Sequence, residues 1–146
     1  MIQILLILHL LGAAVWIGGH LILCLRFLPK SLKEKDVKVI IDFEKQYETI
    51  GIPSLLIQII TGVLLSYQYG VEWQNWFSFS HAIETVISIK LLFLFFTLML
   101  AAHARIFIIP QLSVQNLKFM AVHIVAITLT GIGMLVIGTF VRAGGI

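Results

Sequence analysis

The stretch from His81 to Ile109, HAIETVISIKLLFLFFTLMLAAHARIFII, decides the fold. Between Ala82 and Ala102 its only charged residues are Glu84 and Lys90. A hydrocarbon core of roughly 30 Å is crossed by about 20 apolar residues of helix, and this run is long enough. Three other runs qualify, so the predicted spans are 2–28, 50–69, 81–109 and 119–141. The whole chain of 146 residues is 60% hydrophobic, with a mean hydropathy of +1.04. A soluble domain of this size has too little interior to cover so much apolar surface. The expected fold is an all-α integral membrane protein, a single four-helix transmembrane bundle over 1–146. Its partner is the lipid bilayer, and little chain remains for a separate soluble domain.

The first run is expected to be a retained helix and not a signal peptide, because no Lys or Arg precedes Arg26. A single cysteine, Cys24, forms no intramolecular disulfide. The net charge of +3 is small, and its clustering reads as topology, not as nucleic-acid binding. Arg26, Lys30, Lys33, Lys35, Lys38 and Lys45 fall around the first connection, and Arg105 and Lys118 around the third. The other side offers only Arg142. The positive-inside rule then puts those two connections in the cytoplasm and both termini in the periplasm of a bacterial inner membrane. Trp73, Trp76, Phe77 and Phe79 are expected to form an aromatic belt at the outer interface.

Pro29 is predicted to end the first helix and Pro110 the third. Val37, Ile40, Ile41, Phe43 and Tyr47 alternate with charges over 36–49. That spacing predicts a short cytoplasmic amphipathic segment, either lying on the membrane face or extending span two inward. Gly51 and Pro53 would bend its junction with the span. His9, Gly12, Trp16, Gly19 and His20 share one face of span one; Ser54, Gln58, Thr61 and Gly62 one of span two; His123, Thr130, Gly131, Met134 and Gly138 one of span four. Ala14 and Gly18 permit a close helix contact within the chain or in a homo-oligomer.

Ionisable groups inside a membrane are costly and default to functional hypotheses. His9, His20, Lys90, His103 and His123 are the five. At about 1.5 Å of rise per residue, His20, His103 and His123 fall at one depth toward the basic side. His9 and Lys90 fall together in the other half. His81 and Glu84 are expected to be a solvated pair at the outer interface. Sulfur accompanies the inner group: Cys24 follows His20 by four residues, Met99 precedes His103 by four, and Met120 precedes His123 by three. Spacings of three or four share a helical face. Imidazole with thiolate or thioether suits copper, above all Cu(I), and the same sulfurs also serve as ordinary apolar fillers. Imidazole equally suits the iron of a haem held between helices.

Several stretches resemble known families. His9-Leu-Leu-Gly-Ala-Ala-Val-Trp16-Ile-Gly18-Gly19-His20 resembles the first helix of CopD-type copper-resistance membrane proteins. Phe43-Glu44, Tyr47-Glu48-Thr-Ile-Gly51-Ile-Pro53 and Gln58 to Gly62 resemble their second helix. Ile89-Lys90-Leu91, His103-Ala-Arg105, Pro110 and His123 continue the likeness over nearly the whole chain. The resemblance implies an inner-membrane protein associated with copper handling, corresponding to the compact domain of larger CopD proteins. A more distant likeness is to the HemJ protoporphyrinogen oxidases, associated with haem b, through His9 and Lys90 before Leu91. Leu25-Arg26-Phe27-Leu28-Pro29-Lys30 departs from the HemJ pattern.

Two functions follow as expectations. One is binding, transport or resistance toward copper ion, with His20, His103 and His123 as ligands assisted by Met99, Met120 and Cys24. A periplasmic copper or electron-transfer partner would accompany it. The other is a haem b membrane cytochrome or haem-dependent oxidoreductase, with bis-His ligation and Lys90 or Arg105 on the propionates. His9, His20, Lys90, His103 and His123 are the cofactor-binding candidates. A purely structural subunit ranks below both. No phosphate-binding loop, carboxylate pair or nucleophile–base pair is present in the sequence, so no classical soluble-enzyme chemistry is expected.

Overall fold

The computed structural model describes residues 2–145, and of Arg142 the backbone only, so the side chain counted above in the charge asymmetry lies outside the described residues. The helices are α1 (Ile2–Ile22), α2 (Leu28–Glu34), α3 (Lys38–Gln68), α4 (Ala82–His103) and α5 (Leu117–Phe140). Four continuous rods, Ile2–Glu34, Lys38–Gln68, Ala82–Gln111 and Leu117–Phe140, are long and apolar enough to cross a membrane. The chain is a multi-pass, all-α membrane protein. Much of its apolar surface points outward, as lipid-facing helices require: Leu25, Phe95, Ile106, Phe107 and Val122 are all exposed.

The first helix does not end at Pro29. The α1 helix passes through a π-helical turn, Leu23–Phe27, into α2 and stops only at Glu34. In that turn the Leu28 N–H donates to the Leu23 carbonyl, five residues back. Pro29 has no N–H to donate, and its ring would strike the carbonyl four residues back in a regular helix. The helix meets the proline with its hydrogen-bond register already shifted. The same device recurs in the third rod. A π-turn, Ala104–Ile108, closes with the Ile109 N–H on the Ala104 carbonyl, and Pro110 follows. There a 3₁₀ turn, Ile109–Gln111, ends the rod as the sequence predicts. The 36–49 segment extends span two inward: α3 runs unbroken from Lys38 through Gly51 and Pro53.

The closest pairings are α1 with α3 and α4 with α5, and α1 with α5 joins the two pairs. The α3 and α4 helices meet only sparsely. Small residues make the approaches. Gly12 faces the Ser54 carbonyl and Gln58 of α3, and Gly131 faces Ile17 of α1. Thr97 of α4 and Thr130 of α5 share a hydrogen bond of 3.0 Å. Gly18, by contrast, has nothing within 4 Å of the position a Cβ would take, and Ala14 is exposed, so that face of α1 is unused among the described residues. One apolar cluster at the basic end centres on Leu23, Ile40, Ile108 and Met120. A second, around Trp16, Ile17, Leu55 and Ile127, lies deeper in the bundle.

At the opposite end the aromatic residues Trp73, Phe77 and Phe79 are exposed and Trp76 is half-buried. The expectation of a solvated His81/Glu84 pair is corrected here. His81 is exposed, but Glu84 is only 7% exposed, and its carboxylate accepts from the Ser78 hydroxyl. The loop before α4 folds back over the first turn, so position near a helix end did not mean contact with water.

Candidate functional site

A cavity of about 140 Å³ opens where α3 and α4 fail to close on each other. The wall from α1 carries Trp16 and His20, that from α3 carries Glu44, Tyr47 and Glu48, and that from α5 carries Met120 and His123. Arg105, on the π-turn after α4, completes the rim. The residues of α3 sit at Glu44, Tyr47, Glu48 and Gly51, spaced by three and four, so one face of a charged segment turns inward.

Each imidazole in the spans is oriented by its Nδ1 atom. The His20 Nδ1–H donates to the Trp16 carbonyl at 2.9 Å, and the His123 Nδ1–H donates to the Phe119 carbonyl at 3.1 Å. A carbonyl has no proton to give, so in the neutral rings Nε2 carries the lone pair. The His103 Nδ1–H therefore donates to His123 Nε2, at 3.0 Å, and the two rings stack at 5.0 Å between centroids. His9 follows the same rule: its Nδ1–H faces the Gln58 carbonyl at 3.1 Å and the Thr61 hydroxyl oxygen at 3.0 Å. The Thr61 proton goes to the Ile57 carbonyl. Among the described residues the rings of His9, His20 and His103 thus make no hydrogen bond at Nε2, while the Nε2 of His123 is taken. An imidazole whose Nδ1–H is tied to a carbonyl is the usual arrangement behind a metal-ligating Nε2.

Aromatic rings hold His20 in place. Trp16 lies 4.3 Å from it between centroids, and Tyr47 meets it edge-on at 5.7 Å. The Tyr47 hydroxyl donates to the carbonyls of Val15 and Trp16, at 3.0 and 2.8 Å. The Thr128 hydroxyl of α5 lies 3.4 Å from the His20 carbonyl, but its proton goes to the Ile124 carbonyl of its own helix at 2.7 Å.

The predicted residues separate on this geometry. His20, His123 and Met120 line one cavity, and His103 joins it through its bond to His123. Cys24 is half-buried against the basic-end apolar cluster and does not line the cavity. Met99 is 49% exposed on the outside of the bundle. Among the described residues no three of His, Cys, Asp and Glu stand together at metal-ligand spacing. His9 and Lys90 form no hydrogen bond with each other among the described residues; His9 sits over Gly62 and the Lys90 ammonium over Gly138. Trp16, Glu44, Tyr47 and Glu48 were not among the predicted site residues, although the three-and-four spacing in 44–51 was there to be read.

Arg105 and Glu48 form an ion pair across the α3–α4 seam, with a shortest separation of 2.6 Å. Their side chains are 53% and 34% exposed, so the pair contributes little stability. Its position matters more, since it spans the mouth of the cavity. Glu48→Gln is expected to change unfolding stability by less than about 1 kcal/mol. It should nevertheless speed maleimide labelling of a thiol introduced by Ala101→Cys, in a Cys24→Ala background, severalfold. Unchanged labelling would mean that the pair does not restrict access to the cavity. Comparison with known protein families, with curated proteins and with solved structures finds no match to the chain.

Proposed function

We propose that this chain is a CopD-type protein of the bacterial inner membrane, both termini periplasmic, that binds and hands on copper ion at the cavity between α1, α3 and α5. The observation that carries the reading is the shared lining of His20, Met120 and His123 inside a membrane-spanning bundle. Imidazole and thioether are donors that favour Cu(I), which is content with few ligands. His20 presents Nε2 with its Nδ1–H already committed to a carbonyl. His123 becomes a donor when His103 turns away and releases its Nε2. Glu44 adds a carboxylate to the cavity wall beside a cationic cargo, while Glu48 is already paired with Arg105.

Haem b fits this cavity poorly. Its volume of about 140 Å³ is below the roughly 300–1,000 Å³ of ordinary ligand pockets. His103 and His123 stack on each other and do not face one another across a slot. The deciding experiment is metal analysis and a reduced-minus-oxidised visible spectrum of the detergent-purified protein after exposure to Cu(I). Stoichiometric copper without a Soret band is expected. A Soret band with sharp α and β bands would return the haem reading, and a colourless protein that retains no copper would sink both.

A further inference from the structure

On the outside of the bundle, away from the cavity, α2 and α5 leave a groove of about 410 Å³ between them. Leu28 and Leu32 form one wall; Val122, Val125 and Leu129 form the other, with Ala126 between. No polar atom lines it. No charged residue lines the groove itself, but beyond each wall toward the basic end the chain carries a lysine. On α5, Lys118 precedes Val122, Val125 and Leu129 at spacings of four, seven and eleven, which is one helical stripe. Just past the end of α2, Lys35 follows Leu28 and Leu32 by seven and three. Both lysines are exposed, and neither is in an ion pair among the described residues.

Lys35 is held in place by unusual means. It caps α2 in the left-handed conformation, at φ 53° and ψ 33°, where glycine is the ordinary residue. A side chain in that region crowds its Cβ against the following carbonyl oxygen, which glycine avoids. Its N–H donates to the Ser31 carbonyl, and the fully buried Ser31 hydroxyl donates to the Asp36 carbonyl on its other side. The backbone is pinned on both flanks, and a lysine stands where only the fold, not the residue, calls for a left-handed turn.

A groove that is apolar along its length and cationic at one end is complementary to an amphiphile with a hydrocarbon tail and an anionic head. We propose that it binds an anionic phospholipid, one acyl chain between α2 and α5 and the phosphate on Lys35 and Lys118. A second copy of this chain is the poorer occupant. Two copies in the same membrane orientation would bring lysines at one depth against each other.

The test is native mass spectrometry of the full chain from micelles, titrated with phosphatidylglycerol or with phosphatidylcholine of the same acyl chains. The wild type is expected to retain phosphatidylglycerol about tenfold better. The double variant Lys35→Gln/Lys118→Gln should lose that preference while still binding either lipid weakly, and Ala126→Phe should lower retention of both. Both lysines are exposed, so the double variant leaves the bundle core untouched if the groove variant fails to fold. Equal retention of the two lipids by the wild type would overturn the proposal, as would a preference that survives the lysine changes. A dimer that forms without lipid and is lost in Ala126→Phe would assign the face to a second copy.

Discussion

On the copper function proposed above, His20→Ala is expected to weaken copper retention by about 100-fold or more while the bundle stays folded, because among the described residues His20 is the cavity-lining imidazole whose Nε2 is unbonded and whose Nδ1–H is locked to a carbonyl. The ring donates to Trp16 of its own helix, so its loss leaves a small space and breaks no hydrogen bond between helices. Met120→Leu keeps the volume and removes the sulfur, and a drop of about tenfold is expected, since the thioether is a weaker donor. Met99→Leu and Cys24→Ser are expected to change nothing, because neither residue lines the cavity. Competition against a chromophoric Cu(I) chelator reads all four variants on one scale. If Met99→Leu proves as damaging as His20→Ala, copper is held elsewhere than in this cavity.

That comparison also marks how far the sequence carried. The four spans were legible because lipid selects for length and apolarity, which are properties of the chain alone. The depths of the imidazoles were legible because helical rise is fixed. Facing was not. Met99 stands one turn before His103 and about 40° around the helix, and that rotation carries it from the seam to the lipid side. Pro29 was read as a stop because a regular helix has no answer to proline; the π-turn before it shifts the hydrogen-bond register and supplies one. The α3 wall was hidden for a different reason. Glu44, Tyr47 and Glu48 lie in a charged stretch that reads as interface, and only the gap between α3 and α4 turns that face into a cavity wall. Glu84 shows the converse, a carboxylate near a helix end that a loop covers.

The largest stability effect is expected at Gly19. A Cβ built there would run into the ring of Tyr47 from α3, and one built at Gly51 would meet the same ring at 2.7 Å. Tyr47 is wedged between a glycine across the interface and a glycine one turn along its own helix, with its hydroxyl donating to two carbonyls of α1. The ring has no free end to swing aside. Helix propensity alone says that Gly19→Ala should stabilise by about 1 kcal/mol. Packing says the reverse: overpacking costs roughly 1–3 kcal/mol, and displacing the hydroxyl adds about 1 kcal/mol. A net loss of about 2 kcal/mol is therefore expected in reversible unfolding from mixed micelles, opposite in sign to propensity. Tyr47→Phe removes only the hydroxyl and should cost about 1 kcal/mol. The decisive arm is a double-mutant cycle. In a Tyr47→Ala background the space beside residue 19 is open, and Gly19→Ala should become neutral or favourable. Additive costs would mean that the glycine is needed for something other than the ring. Because Tyr47 also meets His20 edge-on at 5.7 Å, Gly19→Ala is expected to lower copper retention together with stability, and Tyr47→Phe, which leaves the ring where it is, to lower it far less.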